Sequence, residues 1–121
     1  MSKQTALISG AGIAGPLCAY FLSRAGIHTT IIERAPALRK AGQQIDIRGA
    51  AVQIIKKMGV EEVIRSKTTK EAGLAFVDSN GETCGEFPVD QKGGASFTSD
   101  IEILRGELAQ IFYDATKKET E

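Results

Sequence analysis

The six residues Gly10-Ala11-Gly12-Ile13-Ala14-Gly15 constrain this chain more than any others. Their glycines fall in the pattern G-x-G-x-x-G. A short apolar run, Thr5-Ala6-Leu7-Ile8-Ser9, leads into them, and a run of that length closed by a glycine reads as a buried parallel strand. Beyond them, Ile13, Leu17, Tyr20, Phe21 and Leu22 recur at three- and four-residue spacing, which predicts a helix as far as Ala25. Pro16 falls in the first turn, where its missing N–H has no partner to lose. Gly26 takes the position of a left-handed helix cap. Thr29-Thr30-Ile31-Ile32 is β-branched throughout and predicts a second strand, ending at Glu33. Strand, helix and strand in so short a span make a βαβ unit, so the fold class is α/β and Rossmann-like.

Each glycine has a physical role in such a unit. Gly10 permits the tight turn after the strand, Gly12 lets a pyrophosphate approach the backbone, and Gly15 lets helix and strand pack closely. The helix N-terminus adds unpaired N–H groups and partial positive charge. Glu33, at the end of the second strand, can accept hydrogen bonds from both ribose hydroxyls and would repel a 2′-phosphate, which disfavours NADP at this site. A glycine-rich turn with a surface Glu is the plain alternative; the register of all four parts favours dinucleotide binding. The fingerprint does not itself separate FAD from NAD.

The rest of the chain is patterned less sharply. Gln43 to Arg48 alternates and allows a short strand. Gly49 to Met58 reads as a helix stopped by Gly59, and Val60 to Ser66 as another. Leu74–Val77 and Thr83–Phe87 flank Asp78-Ser79-Asn80-Gly81, the signature of a β-hairpin. Residues 92–96 read as loop. Leu104, Leu108, Ile111, Phe112 and Ala115 define a last amphipathic helix whose stripe is core, and the polar tail after Thr116 is expected to fray.

Composition narrows the partners. Fifteen basic and fifteen acidic side chains leave no net charge, which argues against nucleic acid and anionic membranes as ligands. No apolar run reaches the ~20 residues of a membrane span. Cys18 and Cys84 are too few for a disulfide framework or metal site; Cys18 reads as a small core residue, Cys84 as inert and His28 as structural. A soluble, cytoplasmic protein without a metal is expected.

Four segments carry a resemblance: GAGIAGPLCAYFLSRAG, TTIIERAPALRKAGQQIDIRG, IIKKMGV and ILRGELAQIF. Together they closely resemble the start of the class A flavoprotein monooxygenases, from about Thr5 to about Thr116. The Glu33-Arg34 pair, Asp46-Ile47-Arg48-Gly49 and Arg105-Gly106-Glu107-Leu108 favour FAD over NAD. The resemblance implies a GR2-type FAD-binding fold in which Gly10, Gly12 and Gly15 face the pyrophosphate. It puts Glu33 on the adenosine ribose, Arg34 beside the adenine and Asp46 near the flavin or its ribityl chain. It puts Arg105 by the ribityl-phosphate region and Arg39 at a nicotinamide docking position. The implied reaction passes hydride from NADPH or NADH to FAD, and the reduced flavin activates dioxygen to oxygenate a small organic substrate. No catalytic side chain is assigned.

Residues 1–121 are expected to form a partial FAD/NAD(P)-binding domain without the substrate domain, too short to be active alone. An incomplete unit is expected to leave an open sheet edge that encourages self-association. The residues keep plainer readings open. Arg105 pairs with Asp100 or Glu107; Arg39 and Lys40 form a solvated cluster; Asp46 caps a turn; Arg48 makes a surface ion pair or binds phosphate. At the level of function, a truncated non-catalytic binding or partner module is the main alternative, and an NAD-dependent dehydrogenase fragment a lesser one.

Overall fold

Thr5–Ser9 and His28–Ile32 pair in parallel as β1 and β2, with Ile8 opposite Ile31, and the helix α1 (Ala14–Arg24) connects them. This is a computed structural model that describes residues 4–89, 97, 99–118 and 120. The helix ends as its sequence dictates. Gly26 takes φ +79°, and the N–H groups of Ile27 and Gly26 return to the carbonyls of Leu22 and Ser23, closing a Schellman turn.

Four short elements follow: β3 (Gln44–Asp46), α2 (Ala50–Met58), α3 (Glu61–Ser66) and the hairpin strand β4 (Gly73–Val77). The hairpin returns as β5 (Thr83–Pro88), and its turn is held by Asp78, whose Oδ1 accepts the N–H groups of Asn80 and Glu82. The chain closes with β6 (Glu102–Leu104) and α4 (Arg105–Thr116). β6 pairs antiparallel with β3, Ile45 facing Ile103. Sequence periodicity missed β6, because three residues are too few to show alternation beside a helix start.

The core lies where α1, α2, α3, β6 and α4 converge. Tyr20, Ile55, Ile64, Ile103, Leu108 and Phe112 are buried together there. Each such side chain contributes about 1.5–3 kcal/mol by leaving water. The Tyr20 hydroxyl donates to the Met58 carbonyl, so its polar end is satisfied inside this cluster.

Three expectations need correction. β1 is not buried on both faces: Ala6 and Ile8 are half-buried, but Leu7 is 69% exposed, as is Ile32 of β2 at 51%. Only one face of the two-stranded sheet is packed. Cys18 is exposed rather than core, because α1 buries the stripe Gly15, Pro16, Ala19 and Tyr20, and position 18 lies off it. Thr120, in the tail, is anchored: its hydroxyl lies 2.9 Å from that of the buried Thr29. The segment expected as loop, 92–96, falls outside the described residues. Among the described residues, no helix is long and apolar enough to cross a membrane.

Candidate functional site

The turn from β1 into α1 is built from its glycines. Gly10 adopts φ +106°, a conformation costly for any other residue, and its N–H donates to Ile32 at the end of β2. A Cβ on Gly15 would lie 1.9 Å from the Gly10 carbonyl oxygen, so only glycine lets α1 begin this close to the strand. Gly12 differs: a Cβ there would meet nothing nearer than the Arg105 guanidinium, at 3.6 Å. The first turn of α1 carries neither a side-chain cap nor an acidic residue, and its partial positive charge is uncompensated there.

Arg105 stands at the start of α4, and two glycines set it in place. A Cβ on Gly42 would touch the Arg105 Cβ at 3.0 Å, and one on Gly106 would lie 2.2 Å from the Lys40 carbonyl oxygen. The loop before β3 therefore packs directly on the first turn of α4. The Arg105 N–H donates to the Gln43 carbonyl, which locks the register. Sequence reading gave Gly42 and Gly106 no packing role; their signal is contact between distant segments, which spacing does not show. The carboxylates thought to compete for Arg105 are engaged elsewhere, Asp100 with Arg65 and Glu107 with Lys67.

Glu33 follows β2 directly. Its Oε2 accepts the Ala11 N–H at 2.8 Å and its Oε1 accepts the Ala35 N–H at 2.9 Å. These bonds, Ala11 first, hold its carboxyl below the usual carboxylate range, and Arg34 next to it acts in the same direction. Beside Glu33 opens a cleft of about 370 Å³, lined by Ala11, Glu33, Pro36, Leu38, Tyr113 and Lys117 among others. Arg34 and Arg39 are exposed on the loop that follows.

The structure thus brings Gly10, Gly12, Gly15, Glu33 and Arg105 around one turn. Asp46 is held differently: its carboxylate pairs with Arg48, and across the β3–β6 ladder it faces Glu102. The ion-pair reading of Arg48 is the one seen.

Residues 3–115 match the family described as the FAD binding domain. The chain belongs to that family. Several of its relatives are flavin-dependent monooxygenases. It is 44% identical over 119 residues to the flavin-dependent monooxygenase eupH of Phoma sp., a match covering 97% of this chain and 28% of that one. Among solved structures, tetracycline destructase Tet(51) superposes with a TM-score of 0.72 at 38% identity, covering 96% of this chain and 29% of that one. CtdE, crystallised with FAD and a substrate, shares the fold with a TM-score of 0.79 at 19% identity, over 98% of this chain and 30% of that one. The FAD-binding domain described here therefore spans under a third of the length of these relatives. The cofactor of the family is FAD, and the turn fits it. Gly12 presents bare backbone toward a guanidinium, and Glu33 presents an ionised carboxylate beside a cleft.

Proposed function

We propose that this domain holds the adenosine-diphosphate half of FAD, and that the whole protein is a monooxygenase using NADPH or NADH and dioxygen on a small organic substrate. The observation that carries the reading is the Arg105 guanidinium standing 3.6 Å from where a Gly12 side chain would begin. It sets a fixed cation across from a backbone with no side chain, an arrangement suited to a diphosphate. On this reading Gly10, Gly12 and Gly15 form the floor under the pyrophosphate and Arg105 its lid. Glu33 takes the ribose hydroxyls, and Arg34, next to it in sequence, lies beside the adenine. Bound FAD would supply the hydride acceptor and the dioxygen chemistry. The protein's part is to orient the cofactor and neutralise its charge. Asp46, tied to Arg48, has its place nearer the flavin end, and Arg39 belongs to nicotinamide docking.

Titrating FAD into the purified chain tests this, by quenching of flavin fluorescence and by calorimetry. Saturable binding that is weakened in Glu33→Ala supports the reading. A colourless protein that takes up no FAD overturns it.

The exposed Leu7 and Ile32 favour a second reading, a binding or partner module without turnover. NAD(P)H oxidation that depends on added FAD and substrate would exclude it.

A further inference from the structure

We propose that Glu33 positions the glycine loop before any nucleotide arrives, as a clip between that loop and the chain leaving β2. Its two oxygens bond two backbone N–H groups on opposite sides, Ala11 within the loop and Ala35 beyond the strand. A loop rich in glycine gives up much conformational freedom when it orders. Among the described residues, Glu33 is the side chain to which this loop's backbone donates. The bond is charge-assisted, the stronger class of hydrogen bond. Arg34 is the charged neighbour of the carboxylate, and Tyr113 and Lys117 line the same cleft.

The clip does not preclude binding ribose. An ionised carboxylate offers about four lone-pair sites. One on each oxygen serves the backbone, and one on each oxygen is left for a hydroxyl. One residue then supports both halves of the nucleotide, the ribose by contact and the pyrophosphate by holding Ala11 and its neighbours in place. This extension to the ligand rests on the nucleotide-binding reading; the clip itself does not.

Glu33→Gln is the informative substitution, because it keeps size and shape. One oxygen becomes an NH2 group facing an N–H donor, so at most one of the two bonds survives. In the ligand-free, 15N-labelled chain, the Ala11 and Ala35 amide resonances should titrate together between pH 7 and pH 3, with one midpoint below the ordinary Glu range. In Glu33→Gln that shared response should vanish. Exchange of the amide that loses its partner should accelerate about tenfold or more, the size of one lost charge-assisted bond. An Ala11 amide that stays still while Ala35 moves would overturn the clip, and this wild-type measurement decides even if the variant fails to fold.

Inorganic pyrophosphate, which has no ribose, tests the ligand half. Weaker binding to Glu33→Gln than to wild type supports the proposal. Equal or tighter binding, as loss of a negative charge alone would give, overturns it. A wild-type chain that shows the shared titration yet ignores FAD would sink the cofactor reading and leave the clip standing.

Discussion

Gly12 and Gly15 belong to the same motif, yet alanine should have opposite consequences at the two positions. At Gly15 the added Cβ would lie 1.9 Å from the Gly10 carbonyl oxygen and 3.5 Å from the Ile8 Cγ2. Carbon contacts are comfortable at about 3.5–4.0 Å, so α1 must withdraw from the turn by more than an ångström. Overpacking of this kind costs about 1–3 kcal/mol. Replacing glycine by alanine within a helix ordinarily returns about 0.5–1 kcal/mol. The net loss is at most about 2.5 kcal/mol, and the melting temperature should fall by up to roughly 10 °C. At Gly12 the Cβ would make only an ordinary contact with Arg105. Stability there should stay within about 0.5 kcal/mol of wild type, while FAD affinity falls because the methyl occupies the approach to the backbone. Circular dichroism melts of both variants, paired with FAD titrations, separate the two effects. Gly15→Ala melting at or above the wild-type temperature would refute the packing argument. Gly12→Ala binding FAD as wild type does would refute the diphosphate argument.

Arg105→Ala should weaken FAD binding about tenfold or more, the worth of a hydrogen bond to a charged group; calorimetry with unchanged affinity would remove Arg105 from the site. The Glu33 carboxyl titrates below the ordinary range when folded, so its stabilising effect is complete above that range and lost as pH falls through the folded value. Melts of Glu33→Gln should therefore approach those of wild type at the acid end, and a constant offset from pH 7 to pH 3 would contradict this. Glu102 has the opposite sign. Its carboxyl is pushed up by burial, then by Glu71 and Asp46, and among the described residues its buried Oε2 has no hydrogen-bond partner. Wild-type stability should thus fall as pH rises past the ordinary Glu range, and Glu102→Gln should melt higher at neutral pH but not at pH 4. We further propose that the open face carrying Leu7 and Ile32 drives self-association, which a monodisperse monomer in light scattering would refute.

The βαβ unit was legible because its information is local. The glycine spacing, the β-branched run and the cap at Gly26 each act within a few residues of where they stand. Glu33 lies just past β2, where the same logic put the end of that strand. Long-range closure was not legible. Nothing near Gly42 or Gly106 announces that the two segments must touch, and the β3–β6 ladder is only three residues long. The role expected of Arg105 came from resemblance; its placement over Gly12 came from the fold. Cys18 was misread because the apolar residues of α1 outline a broad face, whereas the helix buries only the narrow stripe of small residues and Tyr20.

The two sides of the proposed FAD site also differ in when they can form. The glycine loop and Glu33 belong to a unit whose strand pairing and turn are made by near neighbours in sequence. Arg105 comes from the opposite end and is delivered by the pairing of β3 with β6. That pairing closes a long loop, a step that pays its entropy before its contacts repay it. On a ribosome the residues of the floor are therefore made before the cation, while the face of α1 that packs against α4 is still uncovered. The newborn loop must hold its shape without Arg105, and the carboxylate of Glu33 is already there to hold it.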